Sequence, residues 1–260
     1  MKKLLTHTLS LPLSLSIFIL FLFSFLVTPA FAVTPLTMYN NALTFKYNIQ
    51  KLGGNTNISQ FPSINNTGYI NGFGLSAKFM YYRIFNKAYF NNGFGSLSSS
   101  ENYPENVSDM NFGYELGYLF SAAKHTQAYT GFIPYINIGY NQIGLSSNHF
   151  TNDFALIGLK IEKPVYPKLI LELSGAYGRM FKTHGSIFNN SPSAYSGSFG
   201  DKPIYNLKLK ASYFITHQTY MSLSYKYENY EYSTSSVPIM QNYSQKISTG
   251  FISVDLSYLF

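Results

Sequence analysis

From Phe251 to Phe260 the sequence alternates without a break. Ile252, Val254, Leu256, Tyr258 and Phe260 fall on one parity, and Ser253, Asp255 and Ser257 on the other, together with Phe251 and Leu259. Strand side chains point to opposite faces at successive residues, so this segment has one apolar face and one mostly small or polar face. The pattern returns along the chain from Ala42 onward, and helical spacing is sustained nowhere. Leu43-Phe45-Tyr47-Ile49, Phe73-Leu75-Ala77-Phe79-Tyr81 and Met110-Phe112-Tyr114-Leu116-Tyr118-Phe120 form the first such faces. Further ones are Phe132-Pro134-Ile136-Ile138-Tyr140, Ala155-Ile157-Leu159-Ile161, Leu169-Leu171-Leu173-Tyr177, Tyr205-Leu207-Leu209-Ala211-Tyr213 and Met221-Leu223-Tyr225-Tyr227. A weaker strand, Ala88 to Ser98, has only Phe90 and Phe94 on its apolar face. These make ten strands.

Composition says what the apolar faces meet. Charged residues are 11% of the 260, and aromatics 18%, with 24 Tyr, 23 Phe and no Trp. Ordinary soluble domains carry about 25% charge. A surface so short of charge suits lipid. Tyr at the ends of the apolar faces is placed where an aromatic girdle meets a membrane interface, which argues against a soluble sandwich. The connections read as alternately short and long. Short ones lie near Phe85-Asn86-Lys87, Ser121 to Thr126, Lys163 to Lys168 and Thr216 to Gln218. Long ones are Lys51 to Gly68, Ser99 to Asp109, Gly144 to Asn152, Thr183 to Lys202 and Ser233 to Gln245. The fold class predicted is all-β, a transmembrane antiparallel up-and-down β-barrel of ten strands, with eight as the fallback.

Residues 1–32 read as a cleaved secretory signal peptide. Lys2 and Lys3 form a positive start, the apolar stretch is densest from Ile17 to Val27, and Ala30-Phe31-Ala32 offers the cleavage site. Residues 33–260 are then the barrel, in a bacterial outer membrane. The formal charge is +7, or +5 without Lys2 and Lys3, and it is scattered. Without a basic stripe no nucleic-acid partner is expected. The chain has no Cys and therefore no disulfide or thiolate metal site.

The last strand, with Tyr258 and Phe260 on its apolar face, resembles the barrel-assembly signal of bacterial outer-membrane proteins. In general layout the chain resembles the small opacity-type surface-antigen or porin-like barrels, although many of those have eight strands. The resemblance implies outer-membrane lipid and the barrel-assembly machinery as partners.

By parity Lys46, Lys78, Glu115, Lys160, Glu172, Lys208, Lys210, Lys226 and Asp255 point into the lumen. Charges in so narrow a space pair or stay wet. Lys46 is expected to pair with Asp255, across the closure of first and last strands, and Glu172 with Lys210. Six Lys against three acids predict a positive lumen, either a sealing network or a narrow, weakly anion-preferring pore.

Ten strands invite comparison with the omptin surface proteases, but no paired Asp residues lie on facing upper strands. Asp109, Asp153, Asp201, His149 and His184 are the only candidates near the loops. His149 and His184 could be recruited for lipid hydrolysis or acyl transfer, which need a Ser or His with an oriented acid, although polar loop histidines are usually only solvated. No cluster has metal-ligand spacing, and no cofactor is expected. The predicted loops are rich in Asn, Ser, Tyr and Gly, a mixture that permits adhesion to a host surface ligand. The role expected is a non-enzymatic surface protein, structural or adhesive through its loops. A narrow channel is the alternative and a lipid-modifying enzyme a distant third.

Overall fold

The computed structural model describes residues 36–58, 64–99, 104–121, 130–145, 148–187, 195–234 and 243–260. The expected signal peptide lies outside them, as do parts of the expected loops. One helical turn, α1 (Leu36–Tyr39), leads into β1 (Ala42–Ile58), β2 (Ile64–Tyr81), β3 (Ile84–Ser99), β4 (Pro104–Tyr118), β5 (Phe120–Ser121) and β6 (Gly131–Leu145). The chain continues through β7 (Asn148–Tyr166), β8 (Leu169–Ile187), β9 (Tyr195–Ser198), β10 (Pro203–Phe214), β11 (Thr219–Thr234) and β12 (Tyr243–Leu259).

All pairings are antiparallel. β12 pairs β1, and β8 pairs β10, so the sheet closes on itself. β5 continues the line of β4 along β6, and β9 pairs the far end of β8 outside the closure. Setting those two aside leaves ten staves among the twelve strands. Closure leaves no open edge among the ten staves in the bilayer, so their backbone donors and acceptors find partners there. The weak segment Ala88 to Ser98 is part of a full stave, β3, and the eight-strand fallback does not hold.

The apolar faces point outward. Leu43, Phe45, Leu75, Phe112, Leu116, Ile157, Leu223 and Leu256 are all exposed on the outer wall. They form the belt that lipid covers. Exposed Tyr81, Tyr118, Tyr166, Tyr213 and Tyr258 rim the belt at the end that holds both Ala42 and Leu259, and Tyr177 and Tyr205 stand in register towards its other edge. By the usual orientation of such barrels the first rim is periplasmic and the opposite end is outer.

The staves run far beyond the belt. A bilayer needs about 9–11 residues of tilted strand, whereas β1 and β12 have 17 residues each and β7 and β8 have 19 each. Above the belt the polarity inverts, on β2 and β12 without a change of parity. On β2 the outward face passes from Leu75 and Phe73 to Asn71 and Thr67, while the inward face passes from Lys78 and Ser76 to Ile70. On β12 Ser248 and Lys246 face out and Ile247 and Tyr243 face in. On β8 the inversion is assisted by Lys182, whose φ of 49° shifts the parity. Thr183, Gly185 and Ile187 then face inward and His184 outward. The outer half is thus built like a water-soluble barrel, with its hydrophobic core inside.

Two expectations about connections are corrected. The long loops are largely strand: only positions 59–63, 100–103 and 146–147 separate the staves at three of the outer connections. At the other end Phe85-Asn86-Lys87 lies within β3, the turn being Tyr82-Arg83, and β7 runs on through Lys163 to Tyr166. Leu171, expected on the outer face, is buried.

The inversion predicts a contrast on one strand. Leu75→Arg places a guanidinium in the lipid belt and should cost about 2–4 kcal/mol of folding free energy in bilayers. Thr67→Arg, same strand and same parity but above the belt, should stay within about 0.5 kcal/mol of the parent. Urea titration in lipid vesicles reads both. Equal effects would place Thr67 in lipid and remove the inversion.

Candidate functional site

The lumen holds three layers. At the periplasmic end α1 folds into the barrel mouth. Leu36 and Tyr39 are buried among Ala42, Ile170, Phe214, Tyr220 and Leu259. The Tyr39 ring lies 5.1 Å from that of Tyr220 and 6.4 Å from that of Phe214. Its hydroxyl is 3.0 Å from Ser212 Oγ. Asn40 Nδ2 donates to Glu162 Oε2 at 2.7 Å. A second apolar group, Met80, Phe85, Leu119 and Ile133, fills the same end.

The middle layer is charged. Glu115 takes two lysines, Lys87 at 2.6 Å and Lys160 at 3.3 Å. Lys208 pairs with Glu172 at 3.1 Å and Lys210 with Asp255 at 3.0 Å. Lys226 pairs with Glu228 on its own strand. Lys46 donates to Asn91 Oδ1 at 3.3 Å. The Lys78 ammonium lies over the Tyr39 ring, 3.7 Å from its centroid. Lys46, Lys78, Glu115, Lys160, Glu172, Lys208, Lys210, Lys226 and Asp255 line one cavity, and neither expected pair forms. Lys46 and Asp255 are direct register partners, as are Lys210 and Glu172, yet each lysine reaches elsewhere.

Reach explains the difference. Lys210 crosses β11 to Asp255 on β12 where β11 presents only Ser222 and Ser224. Lys46 crosses β2 at Gly74 to reach Asn91 on β3. A Cβ added at Gly74 would stand 2.5 Å from Asn91 Oδ1. Tyr89 likewise crosses β4 at Gly113 and donates to Asn137 Oδ1 on β6 at 3.1 Å. A small residue on the intervening strand therefore selects a partner two strands away.

Sequence reasoning missed Lys87, Glu162, Glu228 and Asp109, which also have inward parity. Lys87 falls in an expected turn and Asp109 at an expected loop edge, while Glu162 and Glu228 lie one residue past the ends of the expected apolar faces. Alternation carried two residues further would have found them. Among the described residues seven lysines then face six carboxylates along the lumen, instead of the six to three expected, which leaves that charge close to balanced. The excess is local. A cavity of about 110 Å³ in the middle layer is lined by all seven lysines but only Glu115, Glu172 and Asp255.

The third layer is the outer core. Leu52, Ile70, Leu97, Ile143, Phe150, Met180, Tyr232, Tyr243 and Ile247 are buried there. Phe150 stacks on Tyr232 at 4.5 Å and meets the Phe199 ring edge-on at 5.3 Å. Tyr232 donates to Asn152 Oδ1 at 2.8 Å.

The candidate acid–base residues do not assemble. His149 and His184 both point outward on β7 and β8, and Asp153 pairs with Lys182 at 3.4 Å. Neither histidine is bonded to a carboxylate among the described residues. Asp201 is exposed. Among the described residues no three His, Asp or Glu side chains group as metal ligands. Tyr258 and Phe260 face outward at the periplasmic rim.

No known family profile matches the chain, and no curated protein resembles it in sequence. Among solved structures, the outer membrane protease OmpT from Escherichia coli superposes over 85% of this chain and 97% of its own, with TM-score 0.52 and 9% identity. Neisserial surface protein A covers 83% of this chain and 97% of its own at TM-score 0.36 and 8% identity. An outer membrane channel from Pseudomonas putida F1 covers 90% and 100%, at 0.40 and 10%. The last two overlap too loosely to bear on the fold, and the first shares fold alone. Strand closure and the lipid belt define the class, a transmembrane β-barrel, and the OmpT likeness agrees with it in fold.

Proposed function

We propose that this protein is a non-enzymatic surface barrel, not a channel, and that its working part is the wall and rim projecting above the membrane. One observation carries the reading: side chains of the outer core, Phe150, Tyr232, Tyr243 and Ile247 among them, are buried across the outer end of the lumen. A pore has no use for an apolar core across its mouth, whereas a projecting domain that must hold its shape in water requires one. The projecting wall shows Asn, Ser, Thr, Lys and His to solvent, a polar and adaptable surface suited to contact with a host or neighbouring-cell ligand. With three of the outer connections short, that contact falls on strand faces more than on loops.

Planar-bilayer recording tests the reading. The purified full chain should give no stepwise conductance in symmetrical potassium chloride. Reproducible steps that invert their ion preference in Lys208→Glu would establish the channel instead. Replacing Thr67, Ser96 and Ser98, exposed on the projecting wall, should lower attachment of cells displaying the protein while leaving its surface level unchanged.

A further inference from the structure

We infer that the mid-lumen cavity is a binding chamber for a small oxyanion of the phosphate or sulfate class, and this goes beyond the surface role. Each carboxylate lining the chamber is already engaged by lysine: Glu115 by two, Glu172 and Asp255 by one each. Two lysines are left over. Lys46 has Asn91 as its hydrogen-bond partner, a neutral amide. Lys87, Lys208 and Lys226 line the same cavity and add to the positive potential there. Lys78 is 5% exposed, lines the cavity from its periplasmic side, and its Nζ has no hydrogen-bond partner. The Tyr39 ring beneath it offsets part of its charge. Glu162 does not line the cavity, and one of its oxygens takes the Asn40 amide.

Unpaired ammonium groups withdrawn from bulk water are costly unless an anion meets them. The chamber has the means to hold one. Its volume of about 110 Å³ admits several waters at roughly 10–15 Å³ each, and therefore one tetrahedral oxyanion with its remaining hydration. Thr44 and Ser76 hydroxyls and Asn91 line it beside the lysines. An oxyanion with several acceptor oxygens matches such a set of donors better than chloride does. The α1 floor lies below the chamber and the outer core above it, so exchange should be slow.

The full chain refolded in inorganic phosphate, then desalted into chloride, tests the inference. Phosphate measured after acid denaturation should be retained in stoichiometric amount, and released from native protein only when heating unfolds it. The Lys46→Gln/Lys78→Gln variant, checked for folding by heat-modifiable electrophoretic mobility, should retain about tenfold less. No retained phosphate in the parent, or rapid release from folded protein, would overturn the chamber. Equal retention by the folded double variant would place the anion on the surface and overturn it as well. Should the double variant not fold, the release measurement on the parent decides alone.

Discussion

Glu115→Gln should destabilise the barrel by about 3–5 kcal/mol, because it removes the one carboxylate among the described residues that bridges two lysines, the buried Lys160 and the half-buried Lys87. Lys87 and Lys160 close on the two Glu115 oxygens from opposite sides, at 2.6 and 3.3 Å, and the Lys160 side chain is 5% exposed. An amide accepts hydrogen bonds but leaves both ammonium charges uncompensated. Lys160 also lies over the Phe85 ring, 3.9 Å from its centroid, which offsets only part of the loss. The reverse deletion is milder. Lys160→Met leaves the Glu115–Lys87 pair intact and should cost about 1 kcal/mol. Adding Lys160→Met to Glu115→Gln should recover part of the large loss, since one of the two stranded charges goes with it. Denaturant titration of the four proteins in lipid vesicles gives the cycle. Additive single effects would mean that the bridge carries no coupling, and a loss below about 1 kcal/mol in Glu115→Gln would mean that water already solvates both lysines.

The belt was legible because a bilayer imposes one rule along its whole depth. Leu43 to Ile49 and Ile252 to Phe260 obey a single parity, so strand identity, lipid face and the pairing of first and last strands could be taken from the letters. The rule stops at the membrane surface. Above it Ile247, Tyr243, Tyr230 and Tyr232 carry the apolar role on the opposite parity. A reading that follows one apolar face therefore loses the strand where solvent begins, and the polar outward residues then pass for loop. The projecting half was written in the sequence, but in inverted form.

Within the lumen, position was legible and partnership was not. Parity fixes which side a lysine takes. Which acid it reaches depends on the bulk of the residue between them, and on the stagger of staves that closure sets. Ser224 and Gly74 decided two such cases. The α1 floor left no trace at all. A segment as short as Leu36 to Asn40 has no period, and its burial depends on Ser212, Tyr220 and Glu162, more than a hundred residues away.

Phe150→Ala should cost about 3–5 kcal/mol, the range for deleting a buried ring, and its effect should be confined to the projecting half. Phe150 is fully buried. Its ring stacks on Tyr232 at 4.5 Å, meets Phe199 at 5.3 Å and faces Tyr243 at 6.4 Å, so β7, β11, β12 and the segment beyond β9 all lose a contact together. The closest ring pairs add about 0.5–1.5 kcal/mol each beyond area burial. Below this core the staves are held by closure, by the charged layer and by lipid, none of which the substitution touches. Protease added to intact vesicles should therefore cut the variant within the outer segments and leave a membrane-protected fragment, while the parent resists. Conductance supplies the second readout. If the outer core is what closes the lumen on that side, the variant should still pass no current, because the charged layer and the α1 floor remain; current would appear only when Tyr39→Ala is added and the floor is loosened too. Steps in Phe150→Ala alone would mean that the outer core was the sole barrier. A variant as stable and protease-resistant as the parent would remove the core from the account of how the projecting wall keeps its shape.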